Sequence, residues 1–110
     1  MKKSNRIKKS YEFEALIHNG TKKTNKSFVV YVVPKKESEA RIGVSLSKKI
    51  GIAVERNKIK RQIRMMCMEL IPFSSYAYDA VIIARKDYLK ESYDGNKKNL
   101  EKLLIKDTIK

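Results

Sequence analysis

The stretch from Ser45 to Arg64 reads SLSKKIGIAVERNKIKRQIR, and the rest of the chain is arranged around it. From Glu55 onward, apolar and polar residues recur with the 3.6-residue period of an α-helix. The apolar residues share one face: Ile59, Ile63, Met66, Cys67 and Leu70. The opposite face has four cations and an amide: Arg56, Asn57, Lys60, Arg61 and Arg64. We therefore expect a helix that packs one face on a core and presents a cationic stripe on the other.

The cations lie at the unfavourable end of this predicted helix. Lys48 and Lys49 precede it, and Arg56 lies near its first turn. A cation near a helix N-terminus costs a few tenths to about 1 kcal/mol. No Ser, Thr, Asp or Asn occupies residues 50–55, which leaves Gly51 as the N-cap candidate. Such local costs favour a polyanionic partner, most simply a nucleic acid, over a merely solvated helix face.

These residues resemble a known family. Residues 56–64, RNKIKRQIR, are similar to the signature R-N-x-x-K-R-x-x-R of the protein subunit of bacterial ribonuclease P. The preceding GVSLSKKIG, residues 43–51, resembles the strand and loop that lead into that signature. The resemblance runs from Lys2 to about Lys106. One departure is Ile52, where the family often has a polar residue such as Asn, and this agrees with the weak cap.

The resemblance implies a protein that assists a catalytic RNA. The RNA and its bound Mg²⁺ would remove the 5′ leader from precursor tRNA, whereas the polypeptide would hold no metal stably and no catalytic residue. We expect a monomer that binds the RNA one to one in the cytoplasm. By matching position, the implied contacts to the RNA subunit are Arg56, Asn57, Lys60, Arg61 and Arg64, with Lys48 and Lys49 as phosphate contacts beside them.

A second binding surface is implied by the resemblance alone. In the family, the leader lies in a cleft between the first helix and the sheet. The matching positions are Phe13 and Tyr31, and stacking a base on such a ring contributes about 1–3 kcal/mol. Ile17 follows Phe13 by one turn, and we expect it to pack against the leader rather than stack. Without the resemblance, both aromatic residues would also suit an ordinary core.

Length and charge limit the other possibilities. A chain of 110 residues is expected to form one domain, with residues 1–9 as a flexible basic arm. Residues 1–64 have 18 Lys or Arg against 5 Asp or Glu, a net charge of +13, and residues 65–110 have a net charge of only +1. The polyanion-binding surface is therefore expected within the first 64 residues. The single cysteine, Cys67, is expected to be buried and inert, and no apolar run approaches the ~18 residues of a membrane span.

Apolar patterns predict the remaining elements. The patterns predict the order helix, strands, helix, strand, helix. The resemblance implies an α+β fold, an α/β sandwich of order αβββαβα, with a mixed sheet packed by helices and a left-handed βαβ crossover. The helices before and after the basic one are expected to begin at an N-cap Ser10 and at Asp94-Gly95. The strands are expected at Ser27–Val33 and Ala40–Ser47, paired as an antiparallel hairpin, and at Asp79–Arg85 in the sheet centre; Thr21–Lys26 fits an edge strand or a loop.

Three other functions remain open. A free-standing nuclease needs clustered carboxylates or paired histidines. This chain has one histidine, His18, and scattered acids, of which only Asp79 lies near apolar sequence. An RNA-binding structural protein of the ribosomal kind would share the basic helix but lack the leader cleft. A DNA-binding module would need side chains aimed at base edges.

Overall fold

The structure, a computed structural model that describes residues 2–106, consists of a four-stranded sheet between helices. The elements are α1 (Ser10–Asn19), β1 (Thr21–Thr24), β2 (Phe28–Pro34), β3 (Ile42–Leu46), α2 (Ala53–Leu70), β4 (Tyr78–Ala84) and α3 (Tyr93–Glu101). Short 3₁₀ helices occupy Lys3–Asn5 and Lys86–Lys90, and a π-helical segment, Lys102–Lys106, continues α3. The predicted α+β class and αβββαβα order are confirmed, and the undecided segment after α1 is an edge strand.

The strand order is β1-β2-β4-β3, and it corrects one prediction. The expected hairpin between β2 and β3 is wrong, because β4 lies between them, antiparallel to β2 and parallel to β3. The reason is that β4 is apolar along most of its length and is therefore most stable in the centre of the sheet, where both faces are covered. Helix α2 supplies the crossover that two parallel neighbours require. The hand of that crossover stays a prediction.

Side chains alternate between the two faces of the sheet. On one face the strands pack against α2 and α3 in the larger core, with Phe28, Val30 and Ile82 almost inaccessible to solvent. On the other face a smaller cluster forms under α1 around Leu16 and Val81. The predicted apolar face of α2 is confirmed as part of the larger core: Ile59, Ile63, Met66 and Cys67 are buried, and Leu70 is partly buried.

The helix starts differ from prediction by one or two residues. The N-cap of α2 is Ile52, which provides no side-chain cap, so the Gly51 prediction is wrong. Gly51 instead forms the turn before the cap, at φ +47°, a conformation that favours glycine. The N-cap of α1 is Lys9 rather than Ser10. In α3 the cap is Ser92, whose Oγ accepts a hydrogen bond from the Gly95 N–H at 3.0 Å.

The basic N-terminal arm is held against β3. Asn5 is buried, and its Nδ2 donates to the backbone oxygen of Ala40 at 3.0 Å. The N–H of Ile7 donates to the backbone oxygen of Ile42 at 3.0 Å, and Arg6 forms a parallel bridge with the same residue. The prediction of a flexible arm is therefore wrong for these residues, because two buried contacts on either side of Arg6 fix the backbone.

Candidate nucleic-acid interface

The first residue of the signature fixes the turn that leads into α2. Arg56 Nη1 donates to the backbone oxygens of Ser47 and Ile50, both at 3.1 Å. The Ile50 N–H also donates to the Ser47 oxygen, at 3.1 Å, which closes the turn. Arg56 therefore positions the loop that presents Lys48 and Lys49, both of which are exposed.

The rest of the signature lies on the solvent side of α2. Asn57 and Arg61 are exposed, whereas Lys60 and Arg64 are half-buried. Ile63, by contrast, is fully buried on the core side. The salt bridges of residues 2–106 include none of the predicted RNA contacts. The predicted RNA-subunit contacts thus form one surface with uncompensated positive charge.

Arg64 is the cation of this surface whose environment is most altered. Burial of the guanidinium lowers its pKa, and the neighbouring charge of Arg6 lowers it further. Both effects disfavour a positive charge that the side chain nevertheless retains, since guanidinium groups are not deprotonated in proteins. A nearby anion would relieve this cost.

The predicted leader-cleft residues lie together on the opposite side of the sheet from α3. Phe13 and Ile17 project from α1 and Tyr31 from β2, and all three pack against the cluster around Leu16 and Val81. Each is half-buried, so each keeps a solvent-accessible part. The structure therefore brings the three side chains to one partly open apolar surface.

A glycine that sequence reasoning did not single out shapes this surface. A Cβ on Gly43 would lie 2.8 Å from Cε1 and Cζ of Phe13, so the ring rests directly on the β3 backbone. In the register of the sheet, Gly43 is opposite Val81, which is opposite Tyr31. The available signal was a glycine inside a strand, which often marks a close approach of another group.

The other side of α1 contains an ion pair. Glu12 accepts hydrogen bonds from Nη1 and Nη2 of Arg41, at 2.8 and 3.1 Å. These bonds lower the pKa of Glu12, with smaller contributions from nearby charges. The buried Asp79 accepts the backbone N–H of Arg41 at 2.8 Å, so the acid nearest apolar sequence joins β4 to the start of β3.

A metal site and a reactive thiol are two further possibilities for the same residues. Between Lys2 and Lys106, no three His, Cys, Asp or Glu side chains come close enough to bind a metal ion together. Cys67 is buried as predicted, and burial raises the pKa of its thiol to about 12. In that same part of the chain, no helix is both long and apolar enough to cross a bilayer.

Comparison with known proteins identifies the family. Residues 1–107 match the family model described as Ribonuclease P. The chain is 43% identical over 107 residues to the ribonuclease P protein component of Mesoplasma florum, covering 96% of this chain and 97% of that protein. It is 50% identical over 101 residues to that of Bacillus mycoides, covering 91% and 88%.

A solved structure agrees with the sequence matches. The ribonuclease P protein of Staphylococcus aureus superposes with a TM-score of 0.82 at 35% identity, covering 97% of each chain. Its fold is thus similar over nearly the whole chain. The chain belongs to the ribonuclease P protein family.

Proposed function

We propose that this chain is the protein subunit of a ribonuclease P holoenzyme, an endoribonuclease that removes the 5′ leader of precursor tRNA in the cytoplasm. The observation that supports this most strongly is the uncompensated cationic surface of α2 and its preceding turn. A polyanion offsets the repulsion among those positive charges, and an RNA subunit has a phosphate at every nucleotide.

In this proposal the signature residues contact the RNA subunit. Arg61 and Asn57 reach outward from α2, and Lys48 and Lys49 extend the same surface across the turn. Arginine suits this role because its planar guanidinium forms paired hydrogen bonds with phosphate oxygens. Arg56 contributes mainly by holding the turn, since one of its terminal nitrogens already bonds two backbone oxygens.

The leader occupies the apolar surface beside α1. The exposed parts of Phe13 and Tyr31 offer faces on which unpaired bases stack, and such stacking tolerates different base sequences. Ile17 contributes apolar contact on the same side of α1. A leader held here lengthens the contact between protein and precursor, so the precursor is preferred over mature tRNA.

Catalysis is assigned to the RNA subunit and to the Mg²⁺ that it binds. The chain neutralises phosphates near the RNA's reactive centre and thereby lowers the Mg²⁺ concentration that the RNA needs. We expect one protein monomer for each RNA subunit.

A cleavage assay on precursor tRNA at low Mg²⁺ tests the proposal. The wild-type protein is assayed alone and with a bacterial ribonuclease P RNA. An Arg61→Ala, Arg64→Ala double variant of the protein is assayed with the same RNA. The matched control is Lys98→Ala, Lys102→Ala, which removes two exposed cations at the opposite end of the chain. We expect cleavage only with RNA plus the wild-type or control protein.

Other outcomes would support the remaining functions. Cleavage by the protein alone would make it a free-standing nuclease. Binding to RNA without any effect on cleavage would favour a structural RNA-binding protein, and tighter binding to duplex DNA than to the RNA subunit would favour a DNA-binding module.

A further inference from the structure

The flank of α1 that carries Tyr11, Ala15 and Asn19 borders a pocket, here called the α1 pocket. Its volume is about 340 Å³, within the range of sites for small ligands. Its apolar wall comes from the arm, α1 and β2, and consists of Ile7, Leu16, Val33 and Pro34. None of the residues predicted above to contact the RNA subunit or the leader is among the described residues that line this pocket. The α1 pocket is therefore a separate site.

A buried acid that lines the α1 pocket retains the capacity to accept hydrogen bonds. Asp79 is 3% exposed, and its Oδ1 accepts the backbone N–H of Arg41 at 2.8 Å. An ionised carboxylate has about four acceptor positions, so this one hydrogen bond leaves others available. The other acid of the pocket, Glu12, is already held, because Arg41 donates to both of its oxygens. Asp79 thus favours a ligand that donates hydrogen bonds.

The mouth of the α1 pocket has an aromatic ring and two amines. Tyr11 lines the pocket and is 64% exposed. The Nζ of Lys9 lies 5.7 Å from the centroid of the Tyr11 ring. The exposed Lys36 also lines the pocket. A flat ligand can therefore stack on Tyr11 while an anionic group attached to it lies near two ammonium groups.

These features together match a nucleotide, which joins a flat base to a phosphate. Of the RNA bases, only guanine has two N–H donors side by side on its Watson–Crick edge, at N1 and N2, and paired donors suit a carboxylate. We propose that the α1 pocket binds a guanine nucleotide, with the base beside Tyr11 and its N1 and N2 donors directed to Asp79. That the nucleotide belongs to an RNA strand rests on the proposed function. The guanine site itself rests only on the pocket.

The first experiment measures binding of mononucleotides to the free protein by titration calorimetry. GMP should bind about tenfold more tightly than IMP, which lacks only the 2-amino group and so leaves one acceptor of Asp79 unpaired. AMP and UMP have the same phosphate and should bind more weakly than GMP. Equal affinities for GMP and IMP, equal affinities for GMP and UMP, or no binding of GMP would each overturn the proposal.

Two variants at exposed positions of α1 locate the binding. Tyr11→Ala removes the stacking face and should weaken GMP binding about tenfold. Ala15→Leu places a larger side chain at the pocket and should abolish GMP binding. The matched control His18→Leu adds the same side chain at an exposed position of α1 that is not among the described lining residues, and it should bind GMP as the wild type does. If all three variants bind GMP equally well, the nucleotide does not occupy the α1 pocket.

A third variant, Asp79→Asn, tests the proposed acceptor. The amide oxygen can still accept the N–H of Arg41, but the amide N–H groups oppose the donors of guanine. We expect this variant to bind GMP no more tightly than IMP. A retained preference for GMP over IMP would overturn the role of Asp79.

The last experiment uses the assembled holoenzyme and distinguishes RNA from a free nucleotide. If the guanine belongs to the leader, Ala15→Leu weakens binding of a precursor tRNA whose leader contains guanine but not of one whose leader lacks it. If the guanine belongs to the RNA subunit, Ala15→Leu weakens assembly with that RNA. Normal binding of all these RNAs would overturn the assignment to RNA. The GMP titration needs no RNA, so it tests the pocket even if the chain fails to support cleavage, and the two proposals fail separately.

Discussion

The ring of Phe13 lies on the backbone of Gly43, and a Cβ there would come within 2.8 Å of two ring carbons. This contact joins α1 to β3 and sets the height of the ring above the sheet. The width of the proposed leader cleft therefore depends on a residue that has no side chain.

Gly43→Ala should displace the Phe13 ring and weaken binding of precursor tRNA, with less effect on mature tRNA. The overcrowding should also destabilise the fold by about 1–3 kcal/mol. The measurement is a double-mutant cycle of unfolding free energies with Phe13→Leu, which removes the ring. If Gly43→Ala lowers the free energy of unfolding equally in the wild-type and Phe13→Leu proteins, the added methyl group does not clash with the Phe13 ring.

Tyr31→Ala removes the ring on β2 that is proposed to stack on a leader base. We expect affinity for precursor tRNA to fall by about 1–3 kcal/mol while affinity for leaderless tRNA stays the same, as measured by equilibrium binding to the holoenzyme. Tyr31→Phe is the control, because it keeps the ring. Equal losses for both tRNAs would indicate a folding defect instead.

Arg61→Ala should reduce the salt dependence of binding to the RNA subunit. Each lost phosphate contact lowers the slope of log K against log salt by up to about one. Binding is measured at several salt concentrations, with Lys98→Ala as the charge-matched control. An unchanged slope would argue against a phosphate contact at Arg61.

Arg56→Gln tests the structural role of the first signature residue. Loss of its two hydrogen bonds to the turn should lower the free energy of unfolding by about 1–3 kcal/mol in urea denaturation. Arg61→Gln, at an exposed position on the same helix, should change stability by less than about 0.5 kcal/mol. Similar stabilities for the two variants would contradict a special role for Arg56 in the turn.

The ion pair between Glu12 and Arg41 should make stability depend on pH. Arg41 lowers the pKa of Glu12 below its usual 4.5, so the folded state favours the ionised carboxylate. That stabilisation is present above pH 4.5 and is lost as pH falls through the lower, folded-state pKa. Glu12→Gln should therefore have a lower melting temperature than the wild type at pH 6, and the difference should shrink on acidification. A constant difference would contradict the linkage.

Local patterns predicted most of the elements but not their arrangement. The apolar face of α2 and the continuous apolar run of β4 follow from periodicity. The position of β4 between β2 and β3 depends on pairing between strands that are distant in sequence. The local pattern fits a hairpin between β2 and β3 equally well. The α2 cap was missed by one residue, because Ile52 caps the helix with its backbone alone.

For a similar reason, some residues of the candidate site could be predicted from the sequence and others could not. The signature on α2 is contiguous in sequence, so its residues could be named together. Arg6 lies fifty-eight positions before Arg64, and only the bridge between Arg6 and Ile42 places the two on one pocket. Nothing in the pattern of residues 1–9 indicated that contact.

The arm that docks on β3 also protects an outer edge of the sheet. The strand sequence IGVSL has no charge and no proline, and such an edge can pair with another copy of itself. At the opposite edge, the lysines of the TKKT strand disfavour such pairing. The segment that supplies Arg6 thus also occupies a hydrogen-bonding position at the start of β3, which leaves less of this edge open to pairing.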